Sequence, residues 1–452
     1  MIKYFFVLLS IFSSINCISQ NHSQKTLYEL LETAESNYPL LKSKKLSIDA
    51  AQKRVEMSKS TLIPSLDAAY QVNYATYNNI TGMANPQFLV PISGPPSSGN
   101  EYEGVFGSAG SLLLNWKPVT FGQREAEVAY SQTGVKYAIA DASNELLQHK
   151  VKVITTYLDA LIYDELIKVY QENIARTSIN YETAKTLVNN GIKPGADSAL
   201  FSSEVSKAKI DLLNAKKNKE AAMINLAELL ASKDSLSIKS EFYFTRLPDT
   251  TDFGSTSKNP LLSLYNTSIE LDLAKRKSIV KTTLPTLGVW ATTFARGSGI
   301  SYEGNVNSLE GMGLQRFNYG VGLQLSIPIL QSFKIRSELQ YQDLIIKADQ
   351  EKVNELILKL DKQLLNADMT LKYALKIAKE GPLLIESANY AYKAVQSRYN
   401  SGLTDHADLI QAQYNLLKAQ TDNKTAYMAV WKTILYKAAI KGDLNLFLNQ
   451  IN

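Results

Sequence analysis

Two long stretches of the sequence contain almost no residues that interrupt a helix. Residues 124–190 include no proline and only one glycine, Gly134, and residues 334–400 include only Gly381 and Pro382 as breakers. Each stretch would form a helix about 100 Å long at a rise of 1.5 Å per residue. A helix of that length cannot fold back within a compact globule, so the sequence predicts two helices that project.

Apolar residues recur along both stretches at spacings of four and three, which is typical of a coiled-coil seam. Lys, Glu, Asp and Asn fill the other positions, and we therefore expect these helices to pack along the seam and to face water elsewhere. The seam residues are Leu147, Val151, Ile154, Leu158 and Leu161 in the first stretch and Val353, Leu356, Leu360, Leu364, Ala367, Leu371, Ala374 and Ala378 in the second.

The chain is duplicated internally. Each long stretch ends in Asn-x-Gly followed by Ala-Asp and Lys-Ala in one register, and each is preceded by a Pro-x-Leu segment and two alternating stretches. We predict a signal peptide (1–19), a first repeat (20–231), a linker rich in Ser, Thr and Asp (232–258), a second repeat (259–441) and a C-terminal tail (442–452). The matching residues are Asn189, Gly191, Asp197 and Lys207 in the first repeat and Asn400, Gly402, Asp408 and Lys418 in the second.

Four segments alternate between apolar and polar residues, as strands with one buried face do. They begin near Leu66, Phe106, Leu287 and Tyr319, and the third is the weakest because Trp290 and Phe294 fall on its polar face. The same pattern is typical of lipid-facing barrel strands about ten residues long. Each strand taken alone is more often part of a soluble sheet, whereas the long Gly/Pro-containing loops at 81–103 and 297–315 favour the barrel.

The barrel interpretation makes a specific prediction about side chains. Leu112, Leu114, Val321 and Leu323 should point to lipid. The aromatic residues of the same strands are either anchors at the membrane interface or core residues; they are Tyr70, Tyr74, Trp116 and Tyr319.

The first residues resemble a secretory signal. Lys3 precedes a short apolar run at 4–11, which is too short to span a bilayer permanently. Cleavage after Ser19 is favoured and leaves a chain without cysteine; lipidation of Cys17 is the alternative. No apolar run of about 18 residues follows, so a membrane role has to come from strands.

Charge and motifs argue against several classes of function. The net charge of +5 is spread without blocks of one sign, so nucleic-acid binding is not expected. No phosphate-binding loop or nucleophile elbow occurs. The only histidines are His22, His149 and His406. We expect His149 to be solvated and favour a solvated polar turn over a metal site at 405–408. The sequence therefore predicts no enzyme, no metal and no cofactor.

The duplicated strand pairs, long helices and repeated Asn-x-Gly turn resemble the TolC-like outer-membrane efflux family over about residues 26–441. The resemblance implies an α+β membrane protein that forms a homotrimer, with four strands per chain in a twelve-stranded barrel and the helices in a periplasmic tunnel. It implies a passive exit duct of a tripartite efflux or type I secretion system. The partners would be a periplasmic adaptor and an inner-membrane transporter, and the linker and tail would form a girdle around the tunnel.

The resemblance also implies roles for residues at the two turns. Gly191, Asp197, Gly402 and Asp408 would lie at the periplasmic tip that the adaptor grips, and Tyr399 and Asp408 would narrow the tunnel entrance. Gln411 stands where the family has a second aspartate. The plainer interpretation is that the glycines end helices with positive φ and the aspartates complement a helix dipole.

A periplasmic coiled-coil scaffold or adaptor without channel activity is the alternative function. Adaptors, however, have one long hairpin and lack duplicated strand pairs. The cargo cannot be read from the residues, so drugs, metals and secreted proteins all remain open.

Overall fold

The computed structural model describes residues 26–76, 83–84, 89–90, 99–100, 102–232, 238, 241–248, 258–301 and 303–451. The predicted signal peptide with Cys17, and His22, lie outside the described residues, as do most of the 81–103 loop and of the 232–258 linker. The chain divides into two compact units. The helical unit takes the described parts of 1–42, 144–259 and 359–452, and the sheet unit takes those of 43–143 and 260–358.

The described residues contain two very long helices, as the scarcity of breakers predicts. α3 runs over 67 residues and α8 over 65, and Pro382 lies inside α8. The helices are α1 (Leu27–Asn37), α2 (Pro39–Ser60), α3 (Gln123–Asn189), α4 (Gly195–Leu229), α5 (Glu241–Thr245), α6 (Pro260–Lys281), α7 (Gln331–Lys334), α8 (Arg336–Asn400), α9 (His406–Lys441) and α10 (Asn445–Leu448), with a 3₁₀ turn at Ser308–Met312.

Four strands form one antiparallel sheet in the order β1-β2-β3-β4. They are β1 (Ser65–Thr76), β2 (Gly104–Val119), β3 (Thr286–Ser298) and β4 (Arg316–Ser326). Two-residue segments at Met83–Ala84 and Leu89–Val90 pair separately. The predicted fold class, long helices with a four-stranded antiparallel sheet, is confirmed, and each half of the chain runs helix, strand, strand, long helix, helix.

A glycine inside α8 is explained by the approach of α9. A Cβ added to Gly381 would lie 2.0 Å from Oδ1 and 2.9 Å from Cγ of Asn423. Asn423 is buried, and its Oδ1 has no hydrogen-bond partner among the described residues. The absence of a side chain at Gly381 therefore lets the two helices come together at this level.

The core of the helical unit centres on Trp431 of α9, which is fully buried. Its indole Nε1 donates to the carbonyl of Tyr243 in α5 at 3.0 Å, and Phe447 of α10 meets its ring edge-on at 6.1 Å. The described part of the linker and the tail after Gly442 thus pack around one aromatic side chain, together with Leu158 of the α3 seam.

The expectation that His149 is solvated is wrong. Its side chain is 2% exposed, and its ring stacks on Tyr38 at 3.9 Å between centroids. Nε2 lies 3.0 Å from the carbonyl oxygen of Leu229. Because a carbonyl oxygen can only accept a hydrogen bond, Nε2 must carry a proton and act as the donor. Burial lowers the pKa of this imidazole below its ordinary value.

Candidate functional site

The two Gly turns have the same backbone. Gly191 has φ 71° and Gly402 has φ 72°, a region that favours glycine because it has no Cβ. The amide of Ile192 donates to the Leu187 carbonyl at 2.9 Å, and the amide of Leu403 donates to the Arg398 carbonyl at 2.8 Å. A hydrogen bond from the amide of the sixth residue back to the carbonyl of the first is typical of the Schellman motif, which satisfies the last carbonyls of a helix.

Each turn leads into a helix with an aspartate in its first turn, as the repeat predicts: Asp197 in α4 and Asp408 in α9. The start of α9 is capped by Asp405, whose carboxylate accepts from the amide of Asp408 at 3.1 Å. The hydroxyl of Thr404 donates to the Asp408 carboxylate. The N-cap of α4 is Pro194, which makes no side-chain cap. A carboxylate in the first turn also complements the positive end of the helix dipole.

The two aspartates differ in their surroundings. Asp197 is 5% exposed, whereas Asp408 is exposed to solvent. The Asp197 carboxylate lies 3.2 Å from Nδ1 of His406, the first residue of α9. Lys193 reaches across in the same direction and donates to the carbonyl of Thr404 at 3.2 Å. Two polar contacts therefore join the turns. Asp405 and Asp408 are exposed, as expected for a solvated polar turn, whereas His406 is partly buried.

Tyr399 lies in the core beneath the turns. Its side chain is fully buried, and its ring meets Phe201 edge-on at 5.6 Å. The ammonium of Lys193 lies 5.3 Å from the ring centroid. The phenol has no hydrogen-bond partner among the described residues. Burial and the neighbouring charge of Asp197 raise the pKa of Tyr399 to about 12, so the phenol is neutral at any physiological pH.

A buried polar network lies further along the same helices, and the sequence analysis does not detect it. The side-chain Nδ2 of Asn180 in α3 donates to Oε1 of Gln413 in α9 at 2.7 Å. The side-chain Oδ1 of Asn180 accepts from Nε2 of Gln396 in α8 at 2.9 Å. The network continues from Gln413 to Thr177 and from Tyr392 to Asn180. Buried polar groups that satisfy one another fix the relative register of the helices that carry them.

The strand register places the four predicted lipid-facing residues on one face of the sheet. Leu114 pairs with Ala291, which pairs with Val321, and Leu112 and Leu323 lie two positions along their strands from Leu114 and Val321. Val321 and Leu323 are 73% and 74% exposed. An apolar sheet face exposed to this extent needs a partner or lipid.

Two of the aromatic residues on this apolar face donate side-chain hydrogen bonds to backbone carbonyls of the same chain. The hydroxyl of Tyr70 donates to the carbonyl of Met312 at 3.2 Å, and the indole of Trp116 donates to the carbonyl of Leu62 at 2.8 Å. Tyr74 packs on Phe106, with ring centroids 4.9 Å apart. Tyr319, in contrast, is 90% exposed.

Within the part of the chain that the structure describes, no helix is both long enough and apolar enough to cross a membrane. Over the same residues, no group of three or more His, Cys, Asp and Glu side chains could hold a metal ion.

The model of the family described as outer membrane efflux protein matches residues 30–232 and 284–427. The chain belongs to this family. The match covers most of both repeats, including both Gly turns and all four strands, and it disfavours the scaffold or adaptor alternative. The protein is an efflux channel of the outer membrane, with part of its chain in the periplasm. The members of the family are channels.

Solved structures of other channels share the fold. The Campylobacter jejuni CmeC outer membrane channel is 16% identical, with a TM-score of 0.74 over 92% of this chain and 85% of its own. The open state of the Neisseria gonorrhoeae MtrE channel is 15% identical, with a TM-score of 0.70 over 92% and 89%. VceC from Vibrio cholerae is 12% identical, with a TM-score of 0.72 over 94% and 98%. No curated protein sequence matches the chain.

Proposed function

We propose that three copies of the chain close one twelve-stranded barrel and act as the passive exit duct of a tripartite system. β4 of each chain would pair with β1 of the next. The observation that carries the proposal is the sheet itself: within the described residues, β1 and β4 each have one strand neighbour, so each leaves one edge unpaired. Open sheet edges are not tolerated in lipid, because their backbone groups have no partners there.

The strand directions permit this closure. Successive strands in the sheet are antiparallel, so β4 runs antiparallel to β1 and can pair with the β1 of a neighbour in the same sense. The apolar face of Leu112, Leu114, Val321 and Leu323 would then face lipid, and the polar face would line the lumen. Three copies is the number that the family resemblance implies.

The mass of the detergent-solubilised protein tests the assembly. A mass near three protomers, together with ion conductance in a planar bilayer, is the expected result. A stable monomer that conducts ions would overturn it. Fractionation with outer membranes and a requirement for detergent would separate the duct from a soluble scaffold.

We propose that the two Gly turns form the surface that the periplasmic adaptor contacts. Ile192 and Leu403, each directly after a turn glycine, are 61% and 70% exposed. A Cβ at Gly191 or Gly402 would meet nothing within 4 Å, so each turn glycine faces open space. Exposed apolar side chains on such turns are the kind of residue that a partner buries.

Substitution at the turns tests this contact. Replacing Gly191 and Gly402 with bulky residues should abolish transport while the trimer remains intact. Because those changes also strain the backbone, Ile192→Asp with Leu403→Asp is the matched pair that keeps both glycines. Ile179→Asp, at a 60% exposed position within α3, is the control. Normal transport with the turn variants would contradict adaptor docking at this surface.

We propose Asp408 as a residue of the channel entrance, with Tyr399 packed behind it. Asp408 lies in the first turn of α9, and its exposed carboxylate accepts a hydrogen bond from the hydroxyl of Thr404. Three copies would form an acidic ring that a cation neutralises. The energy for transport would come from the inner-membrane transporter, so the duct itself would catalyse no reaction.

A further inference from the structure

The polar face of the sheet carries an apolar patch. Trp290 and Phe294 of β3 lie on this face, and Leu113 of β2 pairs with Thr292, the residue midway between them. Leu113 and Phe294 are 39% and 36% exposed. Three large apolar side chains therefore lie together on a face whose other residues are mostly polar or small.

The neighbouring strand is shaped to hold the indole. Gly322 of β4 pairs with Trp290, and a Cβ at Gly322 would lie 2.6 Å from the ring. A Cβ at Gly320 would lie 3.2 Å from the same ring. The indole thus lies across the bare backbone of β4, and side chains at these two positions would displace it.

Two arginines stand beside the patch. Arg296 and Arg316 pair directly across β3 and β4, on the same face, two residues beyond Phe294 along β3. Neither guanidinium has an ion-pair or hydrogen-bond partner among the described residues. Like charges directly opposite on neighbouring strands repel, and an anion between them relieves that repulsion.

The nearest acid on this face is too far away to serve as that anion. Asp67 of β1 pairs with Leu113, whereas Arg296 pairs with Ala109 of β2. The four residues between these levels correspond to about 13 Å along the strand, in addition to the distance across β2 and β3.

We propose that the patch of Leu113, Trp290, Phe294, Arg296 and Arg316 binds amphiphilic organic anions, molecules with a ring system and one sulfonate or carboxylate. Phe294 and Arg296 are about 7 Å apart along the strand, close to the length from the far edge of a two-ring system to an attached acid group. The aromatic side chains bury the rings, and the two guanidiniums bind the acid group. The inference rests on the proposed function, in which this face lines the lumen.

Single-channel recording in bilayers of neutral lipid tests the chemistry. The probes, added from the aqueous side, are 2-naphthalenesulfonate, methanesulfonate, which lacks the rings, and 2-naphthylmethylammonium, which reverses the charge. Only the first should block the current at low concentration, and its block should depend on voltage because the site lies inside the lumen. Neutral lipid excludes an anionic headgroup as the occupant.

Variants locate the site. Arg316→Gln and Arg296→Gln should each weaken naphthalenesulfonate block by about fivefold, the factor that corresponds to an exposed ion pair of about 1 kcal/mol. Phe294→Ser should weaken it by a similar factor while leaving methanesulfonate unchanged. Arg336→Gln, which removes the same charge at the start of α8, beyond the opposite end of β4, should leave the block unchanged.

The outcomes separate this inference from the proposed function. A wild-type protein that does not conduct overturns both. A conducting channel that all three probes block equally, or whose naphthalenesulfonate block is the same in the Arg316 variant and the Arg336 control, overturns the binding site and leaves the duct standing.

Discussion

Gly381 and Asn423 allow a direct test of how α8 and α9 pack. An alanine at position 381 would place its Cβ 2.0 Å from Oδ1 and 3.3 Å from Cβ of Asn423. Overpacking of this kind costs about 1–3 kcal/mol, while replacing a helical glycine with alanine stabilises by about 1 kcal/mol. Gly381→Ala alone should therefore change the free energy of unfolding by between about 0 and 2 kcal/mol, in the destabilising direction.

The effect of Gly381→Ala on the free energy of unfolding should change sign when the side-chain amide of Asn423 is removed. In an Asn423→Ala background the nearest remaining atom is Cβ at 3.3 Å, so Gly381→Ala should stabilise by up to about 1 kcal/mol. The coupling between the two sites should then be about 1–3 kcal/mol. Asn423→Ala itself should cost little in hydrogen bonding, because Oδ1 has no partner among the described residues.

Urea denaturation of the detergent-solubilised protein, followed by helical circular dichroism, measures all four corners of the cycle. Gly134→Ala is the control, since a Cβ there would meet only Leu271 Cδ1 at 4.0 Å and should stabilise in any background. If Gly381→Ala stabilises equally with and without Asn423, the close approach does not explain the glycine.

Three further predictions concern other regions. Burial depresses the folded-state pKa of His149, so the stability that the neutral imidazole contributes is complete above about pH 6.5. That contribution is lost as the pH falls from there to the folded-state pKa, and His149→Phe should flatten this part of the curve of unfolding free energy against pH. Leu323→Arg should destabilise the membrane-inserted protein by about 2–4 kcal/mol in a refolding assay, and Gln324→Arg, on the opposite face, by much less; equal costs would refute a lipid-facing strand. Asp408→Asn should weaken block by multivalent cations from the periplasmic side at similar open conductance, and an unchanged block would remove Asp408 from the entrance.

Sequence periodicity predicts the features of the fold that depend on local sequence, namely the long helices and the two faces of each strand. The absence of breakers predicts α3 and α8, and strict alternation places Val321 and Leu323 on one face, because side-chain direction in a strand has period two. Pro382 does not end α8, although proline removes one hydrogen bond of the helix. Packing along the helix outweighs that local loss, and no local pattern reports such packing.

The contacts that the sequence does not predict join residues far apart in the chain. His149 is flanked by charged residues in sequence, yet it stacks on Tyr38, and His406 meets Asp197 across two hundred residues. Trp290 appears as an irregularity in an alternating strand until Gly320 and Gly322 are seen beneath its ring. Each depends on which elements become neighbours, and a single sequence carries no direct signal of that.

The two turns arise from a duplication, yet they should not be treated as equivalent sites. Their backbones agree to within 1° in φ at the glycine, as expected where a hydrogen-bond pattern allows only one geometry. Their acids have diverged: Asp197 is buried against His406, whereas Asp408 is exposed and held by Thr404. A buried carboxylate with a partner helps to hold the two hairpins together and is poorly placed to attract ions from solution. If the entrance carries an acidic ring, Asp408 supplies it, and Asp197 fixes the turn that presents it.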